Sequence, residues 1–255
     1  DNTSKVTKYD NPNRTLTDPY EGQQLGEIWG YVVDGYFKTD EEARNYKVDQ
    51  SFVNQMINAS ALDNGLHAGD LKFVDLDGNN KIEQTTSAND RKDMKVIGNS
   101  LPRYNYNFGI SADWYGIDFS VLFQGIGKQN WYPGAETSMF WGPYSRPYAS
   151  FIPSDFMSQV WSEENTDAYF PRPRGYVALG SNRELAVVNT KYLQNLAYCR
   201  LKNLSIGYTL PDKWLSKIGF EKIRVYFSGE NLLTFTKLHS CLLYTSPSPR
   251  DRSLS

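Results

Sequence analysis

A period-two alternation of apolar and polar residues is the feature that most constrains this chain. It runs from Arg103 to Gln124, on either side of Tyr115 and Gly116, with Leu122 as the one break in the polar positions. The apolar positions are Tyr104, Tyr106, Phe108, Ile110, Ala112, Trp114, Ile117, Phe119, Val121 and Phe123. Because successive side chains of a strand point to opposite faces, the pattern predicts an antiparallel hairpin with one apolar face.

The same alternation returns later in the chain. A turn-like segment, PDKWLSKIGF, separates two further stretches whose apolar residues are spaced two apart. These residues are Leu204, Ile206, Tyr208 and Leu210 before the turn, and Ile223, Val225 and Phe227 after it. A second hairpin of the same style is therefore predicted.

Two architectures use strands of about ten residues with one apolar face, namely a β-sandwich and the wall of a transmembrane barrel. The loop lengths favour the barrel, because short turns close one end of each hairpin whereas the other ends carry residues 1–101 and 127–196. Tyr104 and Trp114 also place aromatics at both ends of a strand, which is typical of barrel girdles. In a barrel wall the lipid-facing residues are Tyr106, Phe108, Ile110, Phe119, Val121, Ile206 and Val225.

The composition excludes several classes of protein. A net charge of -2 over 255 residues argues against a nucleic-acid binder that neutralises phosphates. Two cysteines and two histidines provide neither a disulfide framework nor paired metal-binding histidines. No nucleophile elbow, zinc-protease helix or phosphate loop indicates an enzyme. The aromatic content of 15% instead predicts a binding surface or interfacial belts.

The segment DLDGNNKIE resembles the first half of a calcium-binding loop, which brings oxygen ligands from alternate positions. Its second half departs from that pattern, because Asn80 stands where glycine is usual and Thr86 stands where a bidentate glutamate is usual. Glu83 or Asp90 can supply the missing oxygen, and the alternative is a metal-free turn held by Asx hydrogen bonds. The candidate ligands are Asp75, Asp77, Asn79, Lys81 through its carbonyl, Glu83 and Asp90.

Aromatic residues are concentrated in the segment NWYPGAETSMFWGPYSRPYASF, among glycines and prolines. Flat aromatic faces bind sugar rings or a partner protein, and they also pack loops against themselves. The segment is therefore a candidate substrate or partner loop, with self-packing as the alternative. Its aromatic residues are Trp131, Tyr132, Phe140, Trp141, Tyr144 and Tyr148.

Five regions of the chain, in order, resemble the C-terminal part of SusC/RagA-type TonB-linked outer-membrane transporters. They are LGEIWGYVVDGYFKTDEEA, GDLKFVDLDGNNKI, IGNSLPRYNYNFGISADWYGIDFSVLFQG, VWSEENTDAYFPRP, and YLQNLAYCRLKNLSIGYTLP with IRVYFSGENLLTFTK. The resemblance extends over residues 1–238 and covers only the closing portion of such a protein. It implies an all-β fold, a partial transmembrane antiparallel β-barrel with an incomplete set of strands and long extracellular loops.

The resemblance also implies an activity and partners. Such a protein is a non-enzymatic importer of oligosaccharides, or in some members peptides, in the outer membrane of Bacteroidota. A SusD-like surface lipoprotein closes over the barrel, and TonB acts through an N-terminal part that this sequence lacks. In the family the loop that matches Asp75–Glu83 is usually more perfectly calcium-like, so the resemblance makes Ca²⁺ the candidate cofactor, with the ion-free Asx turn as the alternative. The alternative is a secreted all-β carbohydrate-binding domain with a structural calcium.

The predicted organisation has three parts. Residues 1–102 form a long extracellular region that contains the Asp75 loop and, from Thr39 to about Ile57, a short helix. Residues 103–238 form barrel strands around the long loop 127–196. Residues 239–255 lose all periodicity and resemble the translation of an adapter used in sequencing libraries, so we expect a non-native tail.

Overall fold

The computed structural model describes residues 4–54, 64–145, 154–173, 176–180, 183–215 and 219–239. Its strands are β1 (Glu27–Tyr31), β2 (Val33–Tyr36), β3 (Leu71–Phe73), β4 (Met94–Asn99), β5 (Arg103–Trp114), β6 (Ile117–Lys128), β7 (Asn130–Trp131), β8 (Gln194–Asn195), β9 (Tyr198–Thr209) and β10 (Arg224–Thr236). Its α-helices are α1 (Asp40–Arg44), α2 (Ser138–Trp141) and α3 (Asp212–Leu215), and its 3₁₀ helices are Gly142–Tyr144, Phe156–Gln159 and Tyr176–Leu179. Among the described residues, no helix has the length and apolar character needed to cross a membrane.

The chain folds as two compact units that do not follow chain order. The strand unit consists of Leu101–Gln129 and Asn195–Leu238. The loop unit consists mainly of Ser4–Ser100 and Asn130–Gln194. The long loop between the two hairpins therefore folds with the segment that precedes the first hairpin. The predicted tail lies outside the described residues except for His239.

The strand unit is a single antiparallel sheet with the order β10-β9-β6-β5. Tyr115 and Gly116 connect β5 to β6 with φ of 46° and 85°. Two central residues with positive φ form the turn whose twist matches that of a hairpin, and glycine adopts this conformation at little cost. The structure therefore confirms the hairpin that the period-two pattern predicts.

The register aligns the side chains of all four strands in rows, each row on one face. One row on the apolar face is Ala112, Phe119, Ile206 and Phe227, and the adjacent row on the other face is Ser111, Ser120, Ser205 and Ser228. Leu122, the break in the sequence pattern, pairs with Asn203 and Gly109 in a row of the polar face. The sheet thus has one apolar and one polar face along its whole length.

Most large residues of the apolar face are exposed, whereas Val121 and Leu201 on the same face are each 8% exposed. Ile110 is 57% exposed, Val225 is 64% exposed and Phe227 is 59% exposed. A soluble domain rarely leaves such a continuous apolar surface uncovered, whereas a membrane supplies an apolar solvent for it. Among the described residues, no strand pairs with the outer edges of β5 and β10, so the sheet is an open portion of a barrel wall.

A bulge in β9 keeps the two faces distinct. Leu122 pairs with Asn203 and Phe123 pairs with Leu201, so Lys202 is an extra residue in β9. Strict alternation from Leu204 would place Lys202 and Arg200 on the apolar face. The extra residue reverses the side-chain direction beyond it, which moves Arg200 to the polar face.

An ion pair crosses a glycine on the polar face. Arg224 of β10 donates from Nε and Nη2 to the carboxylate of Asp118 of β6, at 2.9 and 2.5 Å. Gly207 of β9 lies between them, and a Cβ there would approach Asp118 Oδ1 to 2.5 Å and Arg224 Nη2 to 2.7 Å. The glycine therefore allows the two charges to meet across the intervening strand.

The loop unit contains two short antiparallel pairs, β1 with β4 and β2 with β3, around an aromatic core. Tyr36 donates its hydroxyl to the Tyr169 carbonyl at 2.6 Å, and its oxygen lies 2.9 Å from the Tyr192 hydroxyl. Buried aromatics with satisfied hydroxyls fix segments that are distant in sequence.

The predicted helix from Thr39 to Ile57 is shorter in the structure, because α1 ends at Arg44. Beyond it, the backbone of Asp49 pairs with residues 80 and 82 in an extended bridge, which competes with further helix. Phe52 lies in a turn, and Met56 and Ile57 lie outside the described residues.

Arginine substitutions should distinguish the two faces of the sheet. Ile110→Arg is expected to lower the free energy of unfolding in lipid by about 2 to 4 kcal/mol, because the guanidinium enters hydrocarbon. Ser111→Arg, one residue along the same strand, should lower the free energy of unfolding much less, because the side chain at this position is on the polar face. Denaturant titration of the full-length protein in lipid vesicles measures both, and equal losses would contradict a membrane wall.

Candidate functional site

The acidic loop, Asp75–Glu83, follows β3 and is shaped by its own side chains. Asp75 accepts hydrogen bonds from the backbone N–H groups of Gly78 and Asn80, both at 2.7 Å. Asn79 Oδ1 accepts one from the Lys81 N–H at 2.8 Å. Asn80 has φ of 62°, so it adopts the left-handed conformation for which glycine is usual at this position. These Asx-type bonds hold the loop in a tight turn.

A third carboxylate reaches this loop from outside it. Carboxylate oxygens of Asp75, Asp77 and Asp93 all lie within 4.8 Å of one another. Asp93 is fully buried, and it accepts hydrogen bonds from the Leu76 N–H at 2.8 Å and the Glu83 N–H at 2.7 Å. It therefore closes the acidic loop from the far side. The spacing of the acidic loop gives no signal for Asp93, which lies outside the loop and directly before β4.

The two residues predicted to provide the far-side oxygen are engaged with lysines instead. Asp90 lies 3.5 Å from Lys92 Nζ, and Glu83 lies 3.8 Å from both Lys92 and Lys81. Glu83 also accepts a hydrogen bond from Asn79 Nδ2 at 3.0 Å. The structure thus brings Asp75 and Asp77 close together, with Asp93 as the third carboxylate near them.

The electrostatics of the acidic loop reflect the crowding of carboxylates. Burial raises the pKa of Asp93, and the charges of Asp77 and Asp75 raise it further against the opposing effect of two backbone donors. Burial also acts to raise the pKa of Asp75, but backbone donors, led by the Asn80 N–H, outweigh it and lower that pKa. Carboxylate oxygens are ligands that calcium accepts, and these three residues can supply three of the six to eight oxygens of its shell.

Three of the six aromatic residues of the candidate substrate loop lie in the core of the loop unit. Phe140 and Trp141 are fully buried and Tyr144 is 2% exposed. The Trp141 indole donates to the Gly134 carbonyl at 3.0 Å, and the Tyr144 hydroxyl donates to the Pro171 carbonyl at 2.5 Å. Their rings pack against other buried aromatics of the unit. Their burial supports the self-packing alternative for these three residues.

The remaining aromatics of that loop differ in exposure. Trp131 and Tyr132 are half-buried, and Tyr148 lies outside the described residues. The Tyr132 hydroxyl donates to the Leu185 carbonyl at 2.8 Å and lies 2.9 Å from Asn189 Nδ2. Tyr132 is thus also hydrogen-bonded to the loop unit.

Known proteins resemble this chain over most of its length. TonB-dependent receptor P3 of Formosa agariphila is 30% identical over 216 residues, which cover 85% of this chain and 18% of the relative. TonB-dependent receptor P39 of the same organism is 27% identical, over 85% of this chain and 22% of the relative. The chain therefore spans about a fifth of the length of these curated relatives.

No family model matches the chain. Among solved structures, the RagAB peptide transporter aligns with 91% of this chain and 21% of its own chain, at 20% identity and a TM-score of 0.49.

Alanine substitutions should separate packing from surface contact in the aromatic loop. Trp141→Ala is expected to destabilise the loop unit by about 3 to 5 kcal/mol, because it leaves a cavity in a dry core. Trp131→Ala should destabilise the loop unit clearly less than Trp141→Ala, since Trp131 is only half-buried. Amide hydrogen exchange of residues 130–194 in the full-length protein measures both, and similar protection in the two variants would contradict this assignment.

Proposed function

Because this chain belongs to the TonB-dependent receptors, we propose that it supplies part of the wall and surface loops of an outer-membrane importer. The strand unit forms the wall, with its apolar face toward lipid and its polar face toward the lumen. The loop unit contributes the surface region through which a ligand enters. Transport, and no catalytic step, is the activity proposed.

The uncovered apolar face of the strand unit is the observation that carries this proposal. It continues across β5, β6, β9 and β10, and the opposite face carries serines and the Asp118–Arg224 ion pair. A wall between hydrocarbon and water needs this division of faces. The competing function, a secreted carbohydrate-binding domain, would need a second layer over the apolar face.

Partners and substrate follow from the class of receptor. We propose oligosaccharides as the imported ligands, with peptides as the alternative, and a SusD-like surface lipoprotein as the lid. Energy from TonB would act through parts of the receptor outside this chain. Phe140, Trp141 and Tyr144 are buried, so a ligand cannot reach their side chains. We therefore propose that the polar surfaces of the loop unit recognise the ligand.

Cell fractionation and uptake test the proposal together. The full-length receptor should appear in the outer-membrane fraction and require detergent for extraction. A strain lacking the gene should lose uptake of a fluorescent oligosaccharide that the parent strain imports, and the gene in trans should restore it. Recovery of the receptor as a soluble secreted protein would favour the carbohydrate-binding domain.

We further propose that the acidic loop binds Ca²⁺ weakly and is stiffened by it. Asp75, Asp77 and Asp93 would hold the ion, which would offset the repulsion among their charges. The dissociation constant should lie between about 10⁻⁶ and 10⁻³ M, because the bidentate glutamate of a high-affinity loop is absent.

Calorimetry of the full-length receptor with calcium tests this second proposal. The double substitution Asp75→Ala with Asp77→Ala should abolish the binding heat, whereas Asp34→Ala, an exposed acid elsewhere in the loop unit, should leave it unchanged. Affinity should fall as the pH is lowered through the raised pKa of Asp93, because the protonated carboxyl no longer attracts the ion. Identical heats for the parent and the double variant at millimolar calcium would leave a metal-free turn.

A further inference from the structure

A cleft in the loop unit is lined by three cations and two aromatic rings. We propose that this basic cleft, formed by Arg14, Tyr20, Glu27, Trp29, Arg91 and Lys95, binds an oxyanion carried by a sugar. The oxyanion is a carboxylate or a sulfate ester, which share charge and hydrogen-bond geometry. The inference rests on the proposed import function and specifies the chemical class of its ligand.

The cations of the basic cleft have no carboxylate partners of their own. Within the described ranges, no ion pair joins Arg14, Arg91 or Lys95 to an acidic side chain. The chain as a whole carries a net charge of -2, so this local excess of positive charge is not a reflection of its composition. Unpaired cations around a concave surface attract and retain an anionic ligand.

The single carboxylate that lines the cleft, Glu27, accepts hydrogen bonds from neutral donors. Glu27 Oε1 accepts hydrogen bonds from the Tyr20 hydroxyl and from the Trp29 indole N–H, the latter at 3.0 Å. Burial raises the pKa of Tyr20 to about 12, with the hydrogen bond and charge of Glu27 adding to the effect, so the hydroxyl remains a donor. Glu27 therefore orients the two aromatic rings, and no direct contact pairs it with one of the three cations.

Arg14 is held in place, and one donor of its guanidinium, Nε, lacks an acceptor. Its backbone N–H donates to the Asn11 carbonyl at 3.0 Å, its carbonyl accepts from Ala88 at 2.9 Å, and its φ is 49°. The guanidinium lies 4.7 Å from the centre of the Tyr20 ring. Its Nε is buried and has no hydrogen-bond partner in the described structure. Buried donors are nearly always paired, so this group indicates a missing acceptor.

The shape and chemistry of the cleft suit a sugar unit that carries an oxyanion. Its volume of about 380 Å³ is within the range of small-molecule sites. A planar guanidinium presents N–H groups in the fork that matches carboxylate and sulfate oxygens. The neighbouring indole of Trp29, which is half-buried, offers an apolar surface for the sugar ring.

Binding of defined probes to the purified full-length receptor tests the inference. The probes are digalacturonate, a sulfated galactose disaccharide, neutral galactobiose and a tri-alanine peptide, each titrated at low salt by calorimetry. At least one anionic sugar should bind, and the double substitution Arg14→Gln with Arg91→Gln should weaken it by about tenfold or more. Lys47→Gln, which removes an exposed cation outside the cleft, should change binding less than twofold. The two anionic probes show which oxyanion the cleft accepts.

Several outcomes would overturn the inference. They are binding of galactobiose as tight as that of the anionic sugars, capture of the peptide alone, or unchanged affinity in a folded double variant. If the double variant is not recovered from the membrane, Lys95→Gln replaces it, and a loss below about twofold would contradict the inference. If the receptor imports sugars but binds anionic sugars no better than neutral ones, the inference about the basic cleft is wrong and the proposed function stands. If the receptor imports no sugar, the proposed function is wrong.

Discussion

Lipid contact on one face of a single sheet is the constraint on which the rest of the structure depends. In hydrocarbon no water can satisfy backbone N–H and C=O groups, so the strands must bond to each other and present only apolar side chains outward. The antiparallel order β10-β9-β6-β5 meets this requirement inside the sheet. Its two unpaired edges call for neighbouring strands, as expected if the chain is about a fifth of a longer receptor.

The local features of the sheet follow from that division. The extra residue Lys202 keeps Arg200 away from the apolar face, and Gly207 makes room for the ion pair between Asp118 and Arg224 on the polar face. The loop unit is stabilised differently, because it buries its own core of aromatic residues and contains its own small sheets. Its polar surface carries the acidic loop and the basic cleft.

The sequence predicted the strands well because lipid contact imposes a strict period of two, which can be read locally. The aromatic loop was less predictable, since Trp141 is buried by Tyr192 and Phe170, which lie far from it in the chain. The proximity of Asp75 and Asp77 in the acidic loop could likewise be predicted from their spacing. Asp93 was missed because it lies outside the acidic loop, and the spacing within a linear motif carries no record of a contact that folding creates.

Thiol accessibility along β5 tests the central claim most directly. Single cysteines are placed in turn at Gly109, Ile110, Ser111, Ala112 and Asp113 of the full-length receptor, with its native cysteines, including Cys199, replaced by serine. They are then labelled in intact outer membranes with a water-soluble maleimide. A membrane wall predicts alternation, with Gly109, Ser111 and Asp113 labelled and Ile110 and Ala112 protected. Uniform labelling, or protection without alternation, would contradict the assignment of the apolar face to lipid.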